Sequence, residues 1–315
     1  MGRRTRVSHT GVPSAVAGRD GGTWRGRLAA AAGLLVLCAS ALSPAGAEAA
    51  PSTPPTGGAS LYVSDYGNNR VVKLPAGGGE QTTVPAVDLL RPTGMARDAA
   101  GALYIADTGN NRVVKIAADG EQTTVPTTDL SRPLGLALSA AGDLYIADSF
   151  NDRIVKVPAD GSGQTTIPTT GLLHPWGLAL EADGDLFVSD FVNDRIVKVA
   201  ADGSGQTTVP TIGLSQPTGV AVNRAGILYI ADSANNRIVK IRAEGGSQTT
   251  VPTSGLSNPL GLALDTAGTL YVADSFNNRV VKLPARGGSQ TTLPATGLNT
   301  PTGLALTPRA ARPTG

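Results

Sequence analysis

One 14-residue phrase recurs six times in this chain, and its spacing restricts the folds that the chain can adopt. The last copy reads LYVADSFNNRVVKL, and every copy keeps the first Leu, the Asp, the first Asn, the Arg and the Lys in place. Copies begin at Leu61, Leu103, Leu144, Leu186, Leu228 and Leu270. A period of 41 or 42 residues predicts stacked repeats, each of them one supersecondary unit.

Two shorter phrases accompany the long one. The sequence QTT, followed by an aliphatic residue and Pro, begins at Gln81, Gln122, Gln164, Gln206, Gln248 and Gln290. A Pro-x-Gly phrase, followed by a hydrophobic residue and Ala, begins at Pro92, Pro133, Pro175, Pro217, Pro259 and Pro301. Val, Ile, Tyr and Thr dominate these segments and none has a helical period, so each repeat predicts four short strands. Four-stranded units of this length are typical of β-propeller blades.

The two ends of the repeat region complete each other. The first long phrase, at Leu61, has no Pro-x-Gly strand before it, whereas residues 301–306 form such a strand with no long phrase after it. We therefore predict an all-β, six-bladed β-propeller of four-stranded antiparallel blades, in which the C-terminal strand completes the first blade. A hydrogen-bonded seam of this kind leaves no open strand edge between the first and last repeats.

The segments outside the repeats predict export. Residues 1–49 read as a signal peptide: several arginines, an apolar run over 28–42 and small residues that allow cleavage after Ala47 or Ala49. The run is too short for a membrane span. Residues 50–60 are a linker rich in Pro, Gly, Ser and Thr, 61–306 the propeller, and 307–315 a tail. We expect a secreted, extracellular monomer, with association with the cell envelope as an alternative.

The charge of the chain argues against nucleic acid as a partner. The chain has 26 Lys and Arg residues against 24 Asp and Glu residues, but six of the basic and only two of the acidic ones lie in 1–49. The remainder is slightly acidic and has no basic patch. The one cysteine, Cys38, also lies in 1–49, so the propeller must be stable without disulfides.

The repeat wording, "ADSxNNRVVKL" with "P-x-GLALD…G-x-LYVAD", resembles NHL repeats over residues 61–306. It is most similar to the extracellular NHL propeller of bacterial transmembrane Ser/Thr kinases, a domain regarded as a sensor of something outside the cell. The chain departs from those kinases because it has no kinase domain, no Gly-rich loop with a partner Lys and no HRD-type segment. The resemblance implies a binding or scaffold module for an extracellular protein, peptide or cell-wall glycan.

Residues that recur in all six repeats are predicted to be scaffold. Asp and Arg stand five residues apart in each long phrase, at Asp65 and Arg70 in the first. Chemistry needs one site, whereas a propeller needs the same turn six times. We expect the Asp to bind turn backbone and the Arg to pair with a carboxylate across blades.

Positions at which the repeats differ are the predicted ligand site. In propellers, the turn after the second strand and the loop before the innermost strand open on the same face. The variable basic and aromatic residues there are Arg91, Arg132, His174, Trp176, Tyr66, Phe150, Phe191 and Phe276. Exposed aromatic residues beside Arg are typical of binding surfaces. The alternative is that each Phe packs onto a neighbouring blade.

An enzyme is the less favoured interpretation of the sequence. His174 is the one His after residue 49, which excludes a His-rich metal site, and no Ser-His-Asp arrangement can be assembled. We therefore predict no catalytic residues, no metal ligands, no cofactor and no enzyme. The alternative is a metal-dependent, lactonase-like hydrolase that uses carboxylates at the channel mouth. Its candidate residues also fit Asx turns, and they are Asp98, Glu181, Asn223 and Asp265.

Overall fold

A computed structural model describes residues 60–75, 79–285 and 287–307. These residues form six antiparallel sheets of four strands each. We number the blades in chain order. Blade 1 contains β1 (Ser60–Asp65), β2 (Arg70–Pro75) and β3 (Thr82–Thr83), and blade 2 contains β4 (Pro92–Arg97), β5 (Leu103–Asp107), β6 (Arg112–Ile116) and β7 (Gln122–Thr124). Blade 3 contains β8 (Pro133–Leu138), β9 (Leu144–Asp148), β10 (Arg153–Val157) and β11 (Thr165–Ile167).

The remaining strands complete the ring. Blade 4 contains β12 (Pro175–Leu180), β13 (Leu186–Asp190), β14 (Arg195–Val199) and β15 (Gln206–Thr208). Blade 5 contains β16 (Pro217–Val222), β17 (Ile227–Asp232), β18 (Arg237–Arg242) and β19 (Thr249–Thr250). Blade 6 contains β20 (Pro259–Leu264), β21 (Leu270–Asp274), β22 (Arg279–Leu283) and β23 (Thr291–Thr292). The last strand, β24 (Pro301–Leu306), joins blade 1 as its innermost strand. The predicted six-bladed propeller is confirmed.

The seam between the chain ends is an antiparallel ladder. Leu61 lies opposite Leu306 and Val63 opposite Leu304. Beyond β24, the Thr307 N–H donates to the Ser60 carbonyl at 2.9 Å. Closure by the C-terminal strand is thus confirmed. The predicted signal peptide, linker and tail lie outside the described residues, apart from Ser60 and Thr307.

The glycine of each Pro-x-Gly phrase marks the closest approach between blades. A Cβ atom on any of these six glycines would lie 2.0–2.2 Å from a carbonyl oxygen of the following blade. Only a residue without a side chain fits there. The six positions are Gly94, Gly135, Gly177, Gly219, Gly261 and Gly303. The innermost strands therefore contact each other through their backbones around a narrow channel.

The hydrophobic core lies between neighbouring blades. Phe187 of β13 and Ile196 of β14 form one buried cluster with Leu228 and Ile230 of β17, and all four side chains are fully buried. Similar clusters fill the other junctions. Each blade is thus covered on both faces by its neighbours, which accounts for the nearly continuous apolar runs in the second and third strands.

The repeated Asp–Arg pairs hold the loops that enter the blades. In all six pairs the Asp side chain is fully buried and its Oδ2 lies 2.5–2.7 Å from the Arg Nε. The Asp Oδ1 accepts a loop N–H, as from Leu90 to Asp107 at 2.7 Å. The scaffold role is confirmed, but the predicted pairing across blades is wrong. Each Asp lies opposite its Arg on two adjacent strands of one blade, because the turn between those strands brings them together.

The glutamine of each QTT phrase forms a second clamp, which the sequence interpretation missed. Its side-chain amide accepts from and donates to the backbone of one residue in the loop that enters its own blade, at 2.7–3.1 Å. Gln122, for example, binds Val87. Because Gln recurs in all six copies, the sequence already indicated a structural role for it.

Candidate functional site

One face of the propeller carries both kinds of variable segment, and we call it the top face. It holds the turns between the second and third strands and the loops that lead to each innermost strand. Turn and loop are hydrogen-bonded to each other: the Phe150 N–H donates to the Ser131 carbonyl at 3.1 Å, and the Gly67 N–H to the Asn299 carbonyl at 2.9 Å. The strands place these segments together, so the predicted sharing of one face is correct.

Every exposed large hydrophobic side chain in the described part of the chain belongs to one of these turns or loops. Their exposed fractions run from 37% to 77%. They are Val87, Leu90, Phe150, Leu173, Val192, Ile212 and Phe276. Scattered apolar residues need no explanation on a soluble protein, but a collection on one face marks an interaction surface.

Four aromatic side chains of blades 3 and 4 form two contacting pairs, and we call the four together the aromatic row: Phe150 with His174, and Trp176 with Phe191. Phe150 and His174 stack with ring centroids 4.7 Å apart and an interplanar angle of 13°. Trp176 and Phe191 lie 5.1 Å apart at 33°. Trp176 also lines the central channel, whose cavity measures about 70 Å³. The pair of Trp176 and Phe191 therefore adjoins the channel through Trp176.

Arg132 lies beside one ring of the row, Phe150. Its guanidinium Cζ is 4.7 Å from the centroid of the Phe150 ring. A guanidinium over an aromatic face is attracted by the negative face of the ring. Arg132, Phe150 and His174 come from different segments of the sequence, and the stack forms only because blade 4 follows blade 3.

Backbone contacts hold His174 in place. Its φ of 49° is left-handed, and its N–H donates to Asp152 Oδ1 at 2.8 Å. The preceding Leu173 N–H donates to the buried Asp190 at 2.7 Å. The imidazole therefore projects from a loop that is fixed by two carboxylates.

The position after the repeated Asp is aromatic in blades 1 and 4 alone. These blades lack the hydroxyl found there in the other blades, and a nearby serine replaces its hydrogen bond. In blades 2 and 5 a hydroxyl residue follows the Asp, and Thr108 and Ser233 each donate to a proline carbonyl of the next blade at 2.7 and 2.6 Å. Blades 1 and 4 have Tyr66 and Phe191 at this position instead.

In these two blades a serine precedes the Asp, where the other blades have alanine. Ser64 Oγ donates to the Thr93 carbonyl and Ser189 Oγ to the Thr218 carbonyl, both at 2.5 Å. The bond between blades is thus kept while the next position becomes free for an aromatic ring.

Ser149, directly before Phe150, departs from its equivalents. Its hydroxyl is fully buried and has no hydrogen-bond partner within the described ranges. A buried polar group without a partner is costly. The orphan hydroxyl lies at the junction where the next blade carries Trp176.

The other predicted site residues do not join the row. Arg91 is exposed on the loop into blade 2, Tyr66 is half-buried on the turn of blade 1, and Phe276 is 69% exposed on blade 6. The alternative for the phenylalanines is partly met, since Phe150 stacks on a residue of the next blade but stays 49% exposed. The structure therefore gathers Arg132, Phe150, His174, Trp176 and Phe191 from the predicted set.

The opposite, bottom face carries Glu181, one of the residues considered for a metal, together with two further carboxylates. Carboxylate oxygens of Glu181, Asp183 and Asp185 lie within 4.8 Å of one another. Lys198 Nζ is 2.8 Å from Asp185 and 3.3 Å from Glu181, and its hydrogen bond lowers the pKa of Asp185. An ammonium group is already paired with two of these carboxylates, and we assign no cation to them.

The remaining candidates for a lactonase-like centre are turn residues. Asp98 Oδ1 accepts the Ala102 N–H at 2.8 Å, Asn223 Oδ1 the Ile227 N–H at 2.9 Å and Asp265 Oδ1 the Thr269 N–H at 2.8 Å. These are Asx-type bonds that close the turn after the innermost strand. The Asx role is confirmed for these three residues.

The fold and the whole repeat region can be compared with known proteins. A family model described as the virginiamycin B lyase family matches residues 41–283. The chain belongs to the virginiamycin B lyase family. The family is named for an enzyme, and the interpretation that the chain is not an enzyme is therefore wrong. Sequence reasoning set enzymes aside because few histidines are present, a criterion that does not test the family. The NHL label and the likeness to kinase sensors stay predictions.

Solved structures show the same fold at low sequence identity. A propeller in a nidogen/laminin complex has 22% identity and a TM-score of 0.72, over 79% of this chain and 98% of that one. A streptogramin B lyase has 20% identity and a TM-score of 0.63, over 79% and 86%. A catalytically inactive histidine-to-alanine variant of virginiamycin B lyase from Staphylococcus aureus, with quinupristin, has 18% and 0.58, over 79% and 89%. No curated protein sequence matches the chain.

Within the described ranges, no helix has the length and apolar character needed to cross a bilayer.

Proposed function

We propose that the protein is an exported member of the virginiamycin B lyase family that binds a peptide ligand on its top face, at the aromatic row. The observation that carries the proposal is the confinement of exposed large hydrophobic side chains to the turns and loops of that face. Binding surfaces typically have aromatic anchors surrounded by apolar and polar contacts. Phe150, His174, Trp176 and Phe191 are such anchors, since their rings are partly exposed and already in contact in two pairs.

A peptide fits this face better than a small molecule held in a cavity. The channel cavity of about 70 Å³ is far below the ~300–1,000 Å³ of sites that enclose drug-sized ligands. A ligand must therefore lie across the face and contact Trp176 from outside. Two structural neighbours are consistent with ligands of this kind, one from a nidogen/laminin complex and one with quinupristin.

Capture of peptides tests the proposal. The full chain is immobilised and exposed to a synthetic hexapeptide library, and retained peptides are identified by mass spectrometry. We expect enrichment of peptides with aromatic and aliphatic residues. Trp176→Ala with Phe191→Ala should abolish the enrichment, because both rings of the inner pair are removed. Phe276→Ala is the matched control, since Phe276 is equally a turn residue of the top face but lies outside the row.

Equal capture by the double variant and the wild type would place the site elsewhere. Retention of cell-wall glycans in place of peptides, with the same loss in the double variant, would overturn the ligand class.

A second candidate function is lyase chemistry at the same face, favoured by family membership together with His174. A lyase needs a base that takes a proton from carbon as the leaving group departs, and imidazole is the side chain most often used. His174 is the one histidine in the described part of the chain and stacks on Phe150 in the aromatic row. It is the residue best placed to act as that base.

Quinupristin is the probe for this candidate. A lyase cleaves without adding water, so the total mass of the products equals the mass of the substrate. Hydrolysis instead adds the mass of one water. We expect cleavage without added water by the wild type and its loss in His174→Gln. Glutamine suits this position because Gln216 occupies it in blade 5 with a similar φ of 50°. Cleavage at an undiminished rate in His174→Gln, or no cleavage by the wild type, would contradict this candidate for quinupristin.

A further inference from the structure

We propose that Arg132 is an anion anchor beside Phe150 of the aromatic row, so that the peptides recognised there carry a free carboxylate next to an aromatic or aliphatic residue. The inference rests on the proposed peptide-binding function and specifies its ligand. It assigns two parts to the site: a charged end at Arg132 and Phe150, and an apolar end at Trp176 and Phe191.

The guanidinium of Arg132 has its hydrogen-bonding capacity free. Within the described ranges, no carboxylate lies within 4.0 Å of it, and no hydrogen bond from its side chain is formed; only its backbone N–H is bound, to Asn111 Oδ1 at 2.8 Å. The six repeated arginines differ, because each binds an Asp through Nε, as Arg153 binds Asp148 at 2.6 Å. A free guanidinium has five N–H donors in a planar fork, which matches a carboxylate in bidentate geometry.

The stack on Phe150 orients this fork. The guanidinium lies 4.7 Å from the ring centroid, and the ring is in turn stacked on His174 at 4.7 Å. A long, exposed arginine normally loses much rotamer freedom on binding. Stacking restricts that freedom before the ligand arrives, which lowers the entropic cost of forming the two hydrogen bonds.

The apolar part of the ligand is expected to lie over the aromatic row. Phe150 and the His174 stacked on it lie next to Arg132, and blade 4, which carries His174, also carries the pair of Trp176 and Phe191. Exposed Leu173 and Val192 flank the row and are joined by a backbone hydrogen bond of 3.3 Å. A carboxylate bound by Arg132 therefore places the neighbouring side chain of the ligand over aromatic and aliphatic surface.

Arg91 offers a matched control. It stands at the equivalent position of blade 2, is likewise exposed and has a left-handed φ of 52° against 47° for Arg132. Its N–H binds Asn69 Oδ1 at 2.8 Å, as the Arg132 N–H binds Asn111. The residue equivalent to Phe150 in blade 2 is Gly109, so Arg91 has no ring to stack on.

The test compares two hexapeptide libraries that differ only at the C-terminus, one with a free carboxylate and one with an amide. Both are offered to the full chain and to its Arg132→Gln and Arg91→Gln variants. We expect the carboxylate library to be retained about tenfold more strongly by the wild type, as for a hydrogen-bonded charge pair. The preference should disappear in Arg132→Gln and persist in Arg91→Gln. Gln216 shows that glutamine fits the position.

Binding is also followed by fluorescence in a full chain with Trp24→Phe, in which Trp176 is the one remaining tryptophan. Peptides retained through Arg132 should change its emission, because the apolar part lies against the indole.

The outcomes separate the two proposals. Equal retention of both libraries, lost in Trp176→Ala with Phe191→Ala, would overturn the anion anchor and leave peptide binding in place. A carboxylate preference that falls equally in Arg132→Gln and Arg91→Gln would show general charge attraction and also overturn the anchor. Retention of neither library would overturn the proposed function itself.

Discussion

Gly303 approaches Thr93 so closely that a Cβ atom on the glycine would lie 2.0 Å from the threonine carbonyl oxygen. Gly303 belongs to the last strand of the chain, and Thr93 to the first strand of blade 2. Their contact shows that the seam is packed as tightly as the five other junctions, where the same distance is 2.1–2.2 Å. No junction between blades is therefore packed so loosely that the ring would open there more readily than elsewhere.

Gly303→Ala should destabilise the protein by about 2 kcal/mol or more, because the added methyl meets backbone and not a flexible side chain. Gly177→Ala, at an internal junction, should cost a similar amount. Both are measured by urea unfolding with circular dichroism. An unchanged midpoint for Gly303→Ala would show that the seam is looser than the structure indicates.

Deletion of residues 299–315 should lower the melting temperature by more than about 5 °C and promote aggregation. The deletion removes β24 and leaves the edge of β1 unpaired, and an exposed strand edge is a template for association. Deletion of 308–315 alone is the control, since it removes no residue of the strand. Differential scanning calorimetry and size-exclusion chromatography are the measurements. A melting temperature shared by both truncations and the full chain would contradict closure by β24.

Asp152→Ala should weaken peptide binding about fivefold, because the His174 N–H loses its acceptor and the imidazole loses its fixed position. Asp194→Ala removes the equivalent bond to Gln216 in the next blade and should leave binding unchanged. Both substitutions place alanine at a left-handed φ of 53–54°, so both should lose roughly 1 kcal/mol of stability. Asp152→Asn should restore binding, because Asn fills this position in four other blades. Equal binding losses in the two alanine variants would show a general effect of backbone strain.

The ion pair of Asp143 and Lys156 on the bottom face predicts a pH dependence. The two side chains lie 2.7 Å apart, and the hydrogen bond from Lys156 lowers the pKa of Asp143 below its ordinary 3.8 while it raises the pKa of Lys156 above 10.5. The Asp143 contribution is complete above pH 3.8 and is lost as pH falls through the lowered pKa. The Lys156 contribution is complete below pH 10.5 and is lost as pH rises through the raised pKa.

The pair should therefore stabilise the protein at neutral pH by about 1 kcal/mol or less, since it is partly exposed. Wild type and Asp143→Asn should differ most in melting temperature between pH 5 and pH 9 and converge at both extremes. The difference in melting temperature between Asp143→Asn and Asp143→Asn with Lys156→Met should stay constant on the acid side, because neither variant has the Asp143 carboxylate. A difference between wild type and Asp143→Asn that stays constant down to pH 2 would mean that the carboxylate contributes no charge-dependent stability.

The repeated residues were predictable and the contacts between them were not. Asp65 and Arg70 were identified as scaffold because all six copies have them, but the choice between pairing within a blade and across blades depends on where the turn folds back. Gln122 was visible in every copy, yet its clamp on Val87 spans 35 residues. In blades 1 and 4 the hydroxyl residue stands before the repeated Asp and not after it. This difference is visible in the sequence, but its role depends on where the acceptor carbonyls of the next blade lie, which only the structure shows.

The amino-acid sequence by itself determined the number of blades, the strands in each and the closure by residues 301–306. Strand formation and turns depend on neighbouring residues, and a sixfold repeat states the same local preference six times. Tertiary structure decided which variable residues meet. Arg132, Phe150 and His174 come together, whereas Arg91, Tyr66 and Phe276 stay outside the row, because side-chain contact depends on how adjacent blades are packed and on which loop tip faces which. That packing is set by the glycine contacts and buried clusters between blades, which no single repeat contains.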